Sequence, residues 1–359
     1  MFGEPDTSTI ENRNLAPLPD VAGKPWKWKV RTFPKLFDAW YSDHFGCRAL
    51  LLEANALINF SVLSYEQRVA IGQDGWLFYK FDPPLFSLSL SQRELASWKS
   101  YLERRQRWLA ARGIKYLFIV PPDKDSIYPE FLPTSVGHAP EELPVDQLIR
   151  YLRETSSTVP VLSLRDAVLA GKAREQSPLY YKQDGHWNTV GAYYGYDAVI
   201  GKLSGWFPTL HPRPRTDYRV ATGPEKVRDI AHLAGLPDSS HTMGAELEPL
   251  FTDAAQQSTI PNANFRNPTI VTEMPGSPGS TLPRLVMLRD SFTISLMPFL
   301  SQNFSHATYF WITGVSIEQE KSIADTVLKE KPDIFIEERL ERAMPAVPDE
   351  KLMFGGVNP

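Results

Sequence analysis

Between Ser91 and Val120 the chain reads SQRELASWKSYLERRQRWLAARGIKYLFIV, where Leu and Trp recur at helical spacing before the pattern gives way to an unbroken apolar run. Ser91, with Glu94 three residues on, marks a helix start, and Gly113 marks its stop. The run IKYLFIV predicts a short buried strand. The same order of helix then strand returns at LPVDQLIRYLRETSSTVPVLSL and at SIADTVLKEKPDIFIEE. RLVMLRD followed by SFTISLMPFLSQNF is a strand running directly into a helix. This alternation predicts an α/β fold with a mostly parallel sheet covered by helices.

The remaining segments fill in around that frame. Residues 1–25 predict an extended lead-in, and 26–359 a single domain. The stretch KLFDAWYSDHFGCRALLLEANALINFSVL has the spacing of an amphipathic helix pair, and IGQDGWLFY that of a short hairpin or strand start behind an Asp-Gly turn. From about 207 to 283 the alternation breaks down into scattered Pro, Gly, Asn, Ser and Thr, which predicts an irregular insertion with short antiparallel strands. No internal repeat is visible.

Composition narrows the function classes. With 359 residues, 42% of them hydrophobic and 22% charged, the chain has enough apolar material for a large core. Its net charge of −4 and the lack of a Lys/Arg-rich run exclude a basic footprint for nucleic acid. The single cysteine, Cys47, forms no intrachain disulfide and is expected to be buried at the start of an apolar helix. No run of about 20 apolar residues occurs, so the chain as given reads as soluble. Its polar start is no signal peptide, and the compartment stays open.

Two junctions carry candidate chemistry. In LVMLRDSFT a strand ends at Asp290-Ser291. The Ser291 hydroxyl is thereby presented at the carboxyl edge of the sheet, next to the free N–H groups of a helix start. That is where a serine nucleophile belongs, although Asp290 or Ser291 acting as a helix cap fits the same residues. In LYYKQDGHWN, Asp184 and His186 stand two apart, which in an extended segment sets both side chains on one side. Asp184 can then orient the imidazole while the other ring nitrogen takes a proton, but a plain Asp-Gly turn anchored by Trp187 is the alternative. The other histidines (44, 138, 211, 232, 241 and 306) form no ligand-spaced cluster with this pair, so no metal and no cofactor is expected. Lys124 or Asp125 of PPDKDSIYPE is expected near the same crevice, in a structural turn. Glu337, Glu338, Arg339 and Arg342 are expected to form an ion-paired network. The aromatic residues around His186 could stack on sugar rings or belong to the core.

Together ENR at 11–13, DHFGCR at 43–48, GQDGWLFY at 72–79, PPDKDSIYPE at 121–130, YYKQDGHWN at 180–188, RDSF at 289–292 and KPDIFIEERLER at 331–342 resemble the alginate O-acetyltransferase AlgX/AlgJ-like family. The resemblance implies an SGNH hydrolase-like three-layer α/β sandwich with its sequence blocks rearranged. It also implies a triad of Asp184, His186 and Ser291 with an acetyl-serine intermediate. Where many members have a glycine before the Asp-Ser pair, this chain has Arg289. The implied activity is O-acetyl transfer to an exopolysaccharide acceptor in the bacterial periplasm. A membrane-bound acyltransferase partner would supply the acetyl groups, and any inner-membrane anchor would lie on a segment absent from this chain. An acetyl esterase using the same triad, or a non-catalytic polysaccharide-assembly scaffold, are the rival readings.

Overall fold

The computed structural model describes residues 7–8, 13–46, 51, 68–80, 84–133, 142–225, 228–236, 242–261, 267–275, 282–311 and 316–348. In chain order, the first half contains β1 (Thr7–Ser8), β2 (Arg13–Asn14), α1 (Trp26–Arg31), α2 (Phe33–His44), β3 (Val69–Ile71), β4 (Leu77–Tyr79), α3 (Gln92–Ala110), β5 (Lys115–Val120), α4 (Lys124–Ile127), α5 (Pro144–Glu154), β6 (Val161–Ser163) and α6 (Arg165–Lys172). The second half contains α7 (Thr189–Ser204), β7 (Tyr218–Pro224), α8 (Asp229–Leu233), β8 (Met243–Pro249), β9 (Gln256–Ile260), β10 (Thr269–Glu273), β11 (Arg284–Arg289), α9 (Thr293–Leu300), β12 (His306–Trp311), α10 (Ile317–Glu330) and β13 (Ile334–Glu338).

Seven strands form the central sheet in the order β6-β5-β13-β11-β12-β10-β9. The first five are parallel, and β10 and β9 add to the edge antiparallel. Helices cover both faces because the inner strands are apolar on both. Leu117, Ile119, Leu285, Met287 and Ile336 pack against α7 and α9, while Phe118, Val286, Leu288 and Phe335 pack against α3, α5 and α10. This is the SGNH-like three-layer sandwich that the family resemblance implies. Each large ring sealed between the layers, such as Trp98 at 0% exposure, contributes about 2–3 kcal/mol by leaving water.

Helix α3 forms as its capping residues dictate. The Ser91 side chain accepts from the Glu94 N–H while Glu94 reaches back to the Ser91 N–H, a reciprocal box that satisfies two otherwise orphaned donors. Gly113 turns the chain at a φ of 75°, a left-handed conformation that costs glycine nothing, and β5 begins at once. IGQDGWLFY forms the hairpin of β3 and β4. Of the predicted helix pair, α2 lies within the described residues, whereas Cys47 and nearly all of the second helix lie outside them.

The stretch 207–283 is more structured than its composition suggests. Its first part is a hairpin, β7 with β8, carrying α8 between the strands. Its last part supplies β9 and β10, which extend the central sheet. No period announces them because β9 is an exposed edge strand of polar residues, QQSTI, and β10 buries Thr269 and Thr272 beside Val271.

Candidate active site

The segment Tyr181–Asn188 crosses the carboxyl edge of the sheet, and nearly every polar group along it has a partner from elsewhere in the chain. Lys124, buried at the start of α4, donates its ammonium to the carbonyls of Tyr181 (3.1 Å), Lys182 (3.1 Å) and Asp184 (2.7 Å). Burial pulls this lysine down to about 8, against the pull of the carboxylates around it. Glu225 accepts from the N–H groups of Lys182 (2.6 Å) and Gln183 (3.1 Å). Ala231 N–H donates to the Gln183 carbonyl (3.0 Å), and Asp229 accepts from Gly185 N–H (2.8 Å). Gly185 is required by a close approach: a Cβ there would lie 2.5 Å from the Tyr79 ring. Asn188 then caps α7 by accepting from Gly191 N–H.

Held in this way, Asp184 and His186 face each other. His186 Nδ1 lies 2.6 Å from Asp184 Oδ1, and its Nε2 lies 2.7 Å from Ser291 Oγ. Asp184 is fully buried, and its second oxygen accepts from Asp229 N–H at 2.7 Å. Burial alone would raise its pKa, but the bond and charge of His186, with the contact to Asp229, hold it down to about 2. His186 is raised: desolvation opposes its protonation, and Asp184, followed by the charge of Asp229, more than reverses that. The structure therefore brings the three sequence-predicted residues into one hydrogen-bonded line.

Ser291 sits on the turn between β11 and α9, two residues before the helix begins. Asp290 Oδ1 accepts from Phe292 N–H (2.8 Å) and Oδ2 from Leu340 N–H (3.0 Å). Glu338, at the end of β13, accepts from Asp290 N–H (3.1 Å) and Thr293 N–H (3.2 Å). Burial and the Asp290 charge push the Glu338 carboxyl well up. Among the described residues, the Ser291 N–H has no acceptor, whereas the Asp290, Phe292 and Thr293 amides of this turn are all taken. The Trp187 indole donates to the Phe292 carbonyl (2.9 Å), tying the histidine segment to the serine turn.

One other expectation is corrected. Glu337, Glu338, Arg339 and Arg342 do not form one network, because alternate residues of a strand face opposite sides. Glu337 pairs with Arg105 (2.8 Å) and accepts from Tyr101 and Tyr116, with Arg339 3.6 Å away. Glu338 supports the serine turn, and Arg342 pairs with the buried Asp123. Tyr180 and Trp187 are core residues, and Tyr181 is buried with its hydroxyl on Glu246, so these rings offer no sugar platform. Asp125 is buried beside Lys124, and burial together with Asp123 raises it to about 7. Arg289 is buried with its guanidinium 4.6 Å over the Trp311 ring, and it takes no part in the serine–histidine contact.

Sequence reasoning missed Asp229, which stands in VRDIAHL with nothing to mark it. Its carboxylate lies 3.6 Å from His186 Nδ1 and accepts from the Tyr79 hydroxyl. Asp184, His186 and Asp229 have the residue types of a metal site, with ligand atoms within 4.8 Å of one another. Each of those atoms already has a protein partner: Asp184 and Asp229 take amide, imidazole and phenol donors, and His186 spans Asp184 and Ser291. Both His186 nitrogens are engaged, by Asp184 and by Ser291, so a cation would have to displace one of those hydrogen bonds, and the donor set fits a hydrogen-bonded centre better than a metal site.

Comparison with known proteins gives this geometry a family. Over 223 residues the chain is 26% identical to the probable alginate O-acetylase AlgJ of Pseudomonas aeruginosa, covering 60% of this chain and 51% of that one, so it spans about half the length of that relative. Among solved structures, Bacillus cereus PatB1 with a sulfonyl adduct superposes with a TM-score of 0.57 at 14% identity, covering 79% of this chain and 99% of that one. A DHHW family protein from Eubacterium siraeum gives 0.51 at 13% identity, over 78% and 96%. The family model for the SGNH hydrolase-like domain of acetyltransferase AlgX matches residues 69–265, which include Asp184, His186 and Asp229 and stop short of Ser291. That match spans more than half of the chain, and the protein belongs to this family of SGNH hydrolase-like acetyltransferase domains.

Proposed function

We propose that the chain transfers acetyl groups to hydroxyls of an exopolysaccharide of the alginate kind, with Ser291 as nucleophile, His186 as base and Asp184 as its orienting carboxylate. One observation carries the reading: the unbroken line from Asp184 Oδ1 through both His186 nitrogens to Ser291 Oγ, at 2.6 and 2.7 Å. His186 Nε2 takes the Ser291 proton as Oγ adds to the acetyl carbonyl, and the oxyanion meets the Ser291 N–H. Collapse expels the donor's leaving group with the proton from His186 and leaves acetyl-Ser291. A sugar hydroxyl, deprotonated by the same nitrogen, then attacks the ester, and the serine is restored with its proton. The acetyl donor in this reading is a membrane-bound acyltransferase partner, and the setting is the periplasm.

A second reading, hydrolysis of acetyl esters, is favoured by one feature. The His186 side chain is 19% exposed, so the imidazole is not sealed from water. Both readings are tested by mass spectrometry of the intact protein after exposure to an activated acetyl ester. A single added acetyl on Ser291, absent from Ser291→Ala and His186→Ala, is the expected result. Unlabelled wild-type protein that also releases no acetate would leave the fold as a binding scaffold. Acetylated glycan against free acetate then separates transfer from hydrolysis.

A further inference from the structure

Three carboxylates approach the reaction centre, and the proposed chemistry uses one. Asp290 is spent on the Phe292 amide of its own turn and on the Leu340 amide. Asp229 is different, because it touches every residue of the Asp184–Gly185–His186 segment. Its N–H holds the Asp184 oxygen that His186 does not use, at 2.7 Å. One of its own oxygens holds the Gly185 N–H at 2.8 Å, and the other lies 3.6 Å from His186 Nδ1 while accepting from the Tyr79 hydroxyl. Tyr79 in turn packs against Gly185, where a side chain would strike its ring, and lies under the Arg342 guanidinium.

We propose that Asp229, backed by Tyr79, is a second orienting carboxylate for His186, a positioning residue that fixes the imidazole and shares the charge of the imidazolium. The inference rests on reading Ser291 and His186 as the acyl-transfer centre. When Nε2 takes the serine proton, the ring keeps its Nδ1 proton and becomes a cation. Asp184 then neutralises it along the hydrogen bond, and Asp229 stabilises it across 3.6 Å without receiving a proton. The groups around the pair come from four elements: Tyr79 from β4, Lys124 from α4, Asp229 from α8 and Arg342 from the turn after β13. Burial, then the neighbouring Asp184 charge, raises Asp229 to about 6, while the His186 charge and then the Tyr79 hydroxyl favour its ionised form. Tyr79 thus adds to the His186 charge in favouring the ionised form of this second carboxylate.

The test reads His186 itself. In 15N-histidine NMR titrations of the full chain, with the His186 signal assigned by its loss in His186→Ala, Asp229→Asn is expected to lower the His186 pKa by about one pH unit. Tyr79→Phe keeps the ring, weakens the Asp229 charge and should shift His186 in the same direction by less; it carries the test if Asp229→Asn does not fold. The acid limb of Ser291 acylation should move to lower pH in the same order, with the plateau rate down about tenfold in Asp229→Asn. A His186 titration unchanged in both variants overturns the proposal even if Ser291 is acylated. A shifted titration in a chain whose Ser291 takes no acetyl supports the Asp229 contact and instead sinks the acyl-transfer reading.

Discussion

Asp184→Asn separates the two things the buried carboxylate does. In the native site its oxygens accept three hydrogens, from His186 Nδ1, His186 N–H and Asp229 N–H. Asparagine keeps the shape and loses one acceptor. If its amide nitrogen replaces Oδ2, two donors oppose each other at Asp229 N–H. If it replaces Oδ1, it donates to Nδ1 and forces the proton onto Nε2, the nitrogen that must accept from Ser291. On the tautomer argument, acylation should fall about a thousandfold or more, roughly 4 kcal/mol of barrier. The effect on stability comes from the ionisation. A carboxyl held at about 2 rather than at its ordinary 3.8 contributes about 2 kcal/mol of folding free energy. Because the folded value is the lower one, that contribution is fully present above the unfolded pKa and is lost as pH falls towards 2. The measurements are single-turnover acylation of wild type and variant, and urea unfolding near neutral pH and at about pH 2.5. Acylation within tenfold of wild type would refute the tautomer argument. A stability deficit that does not shrink in acid would refute the linkage.

Two further substitutions probe the frame around the site. Arg105 lies between Glu320 and Glu337 with both partners' side chains at 2% exposure or less, so Arg105→Met should lose about 3–5 kcal/mol in chemical unfolding by stranding two buried carboxylates. A loss below about 1 kcal/mol would show that the pair relaxes by protonation or water entry. Gly185→Ala places a methyl 2.5 Å from the Tyr79 ring and should displace the tyrosine from Asp229, cutting acylation about tenfold with a smaller cost in thermal stability. Native acylation kinetics in that variant would mean the Tyr79 contact does not matter.

Where a feature of the site obeys a local rule, the sequence shows it. Ser291 is legible because an apolar run ends at Asp-Ser before a helix, and the pair Asp184 and His186 because alternate residues of an extended segment share a side. The residues that hold them are not local. Glu225 and Asp229 come from the Pro- and Gly-rich stretch that reads as an irregular insertion, more than 40 positions from the segment they bind. Glu338 reads as one acid in a charged cluster, and only the strand register reveals that it faces the serine turn while Glu337 faces Arg105. Lys124 is visible as a residue near the crevice, but its role as a clamp on three carbonyls depends on a contact across nearly 60 positions. Strand β9 is hidden for a different reason: edge position relaxes the apolar pattern by which strands are recognised, and β10 beside it buries threonines in place of aliphatic residues.

The strand order carries a consequence for how the protein comes into being. β13 follows β5 and β11 in sequence yet lies between them, so among the described strands it is the one that joins β5 and β6 to the strands that carry Ser291. Until residues 334–338 have emerged, the growing chain holds two half-sheets with unpaired inner edges and a serine turn without Glu338. Such a chain lacks the Glu338 support of its serine turn and presents exposed strand edges to its neighbours. The Asp184–His186–Ser291 line therefore rests on a strand that follows all three of its residues in the chain.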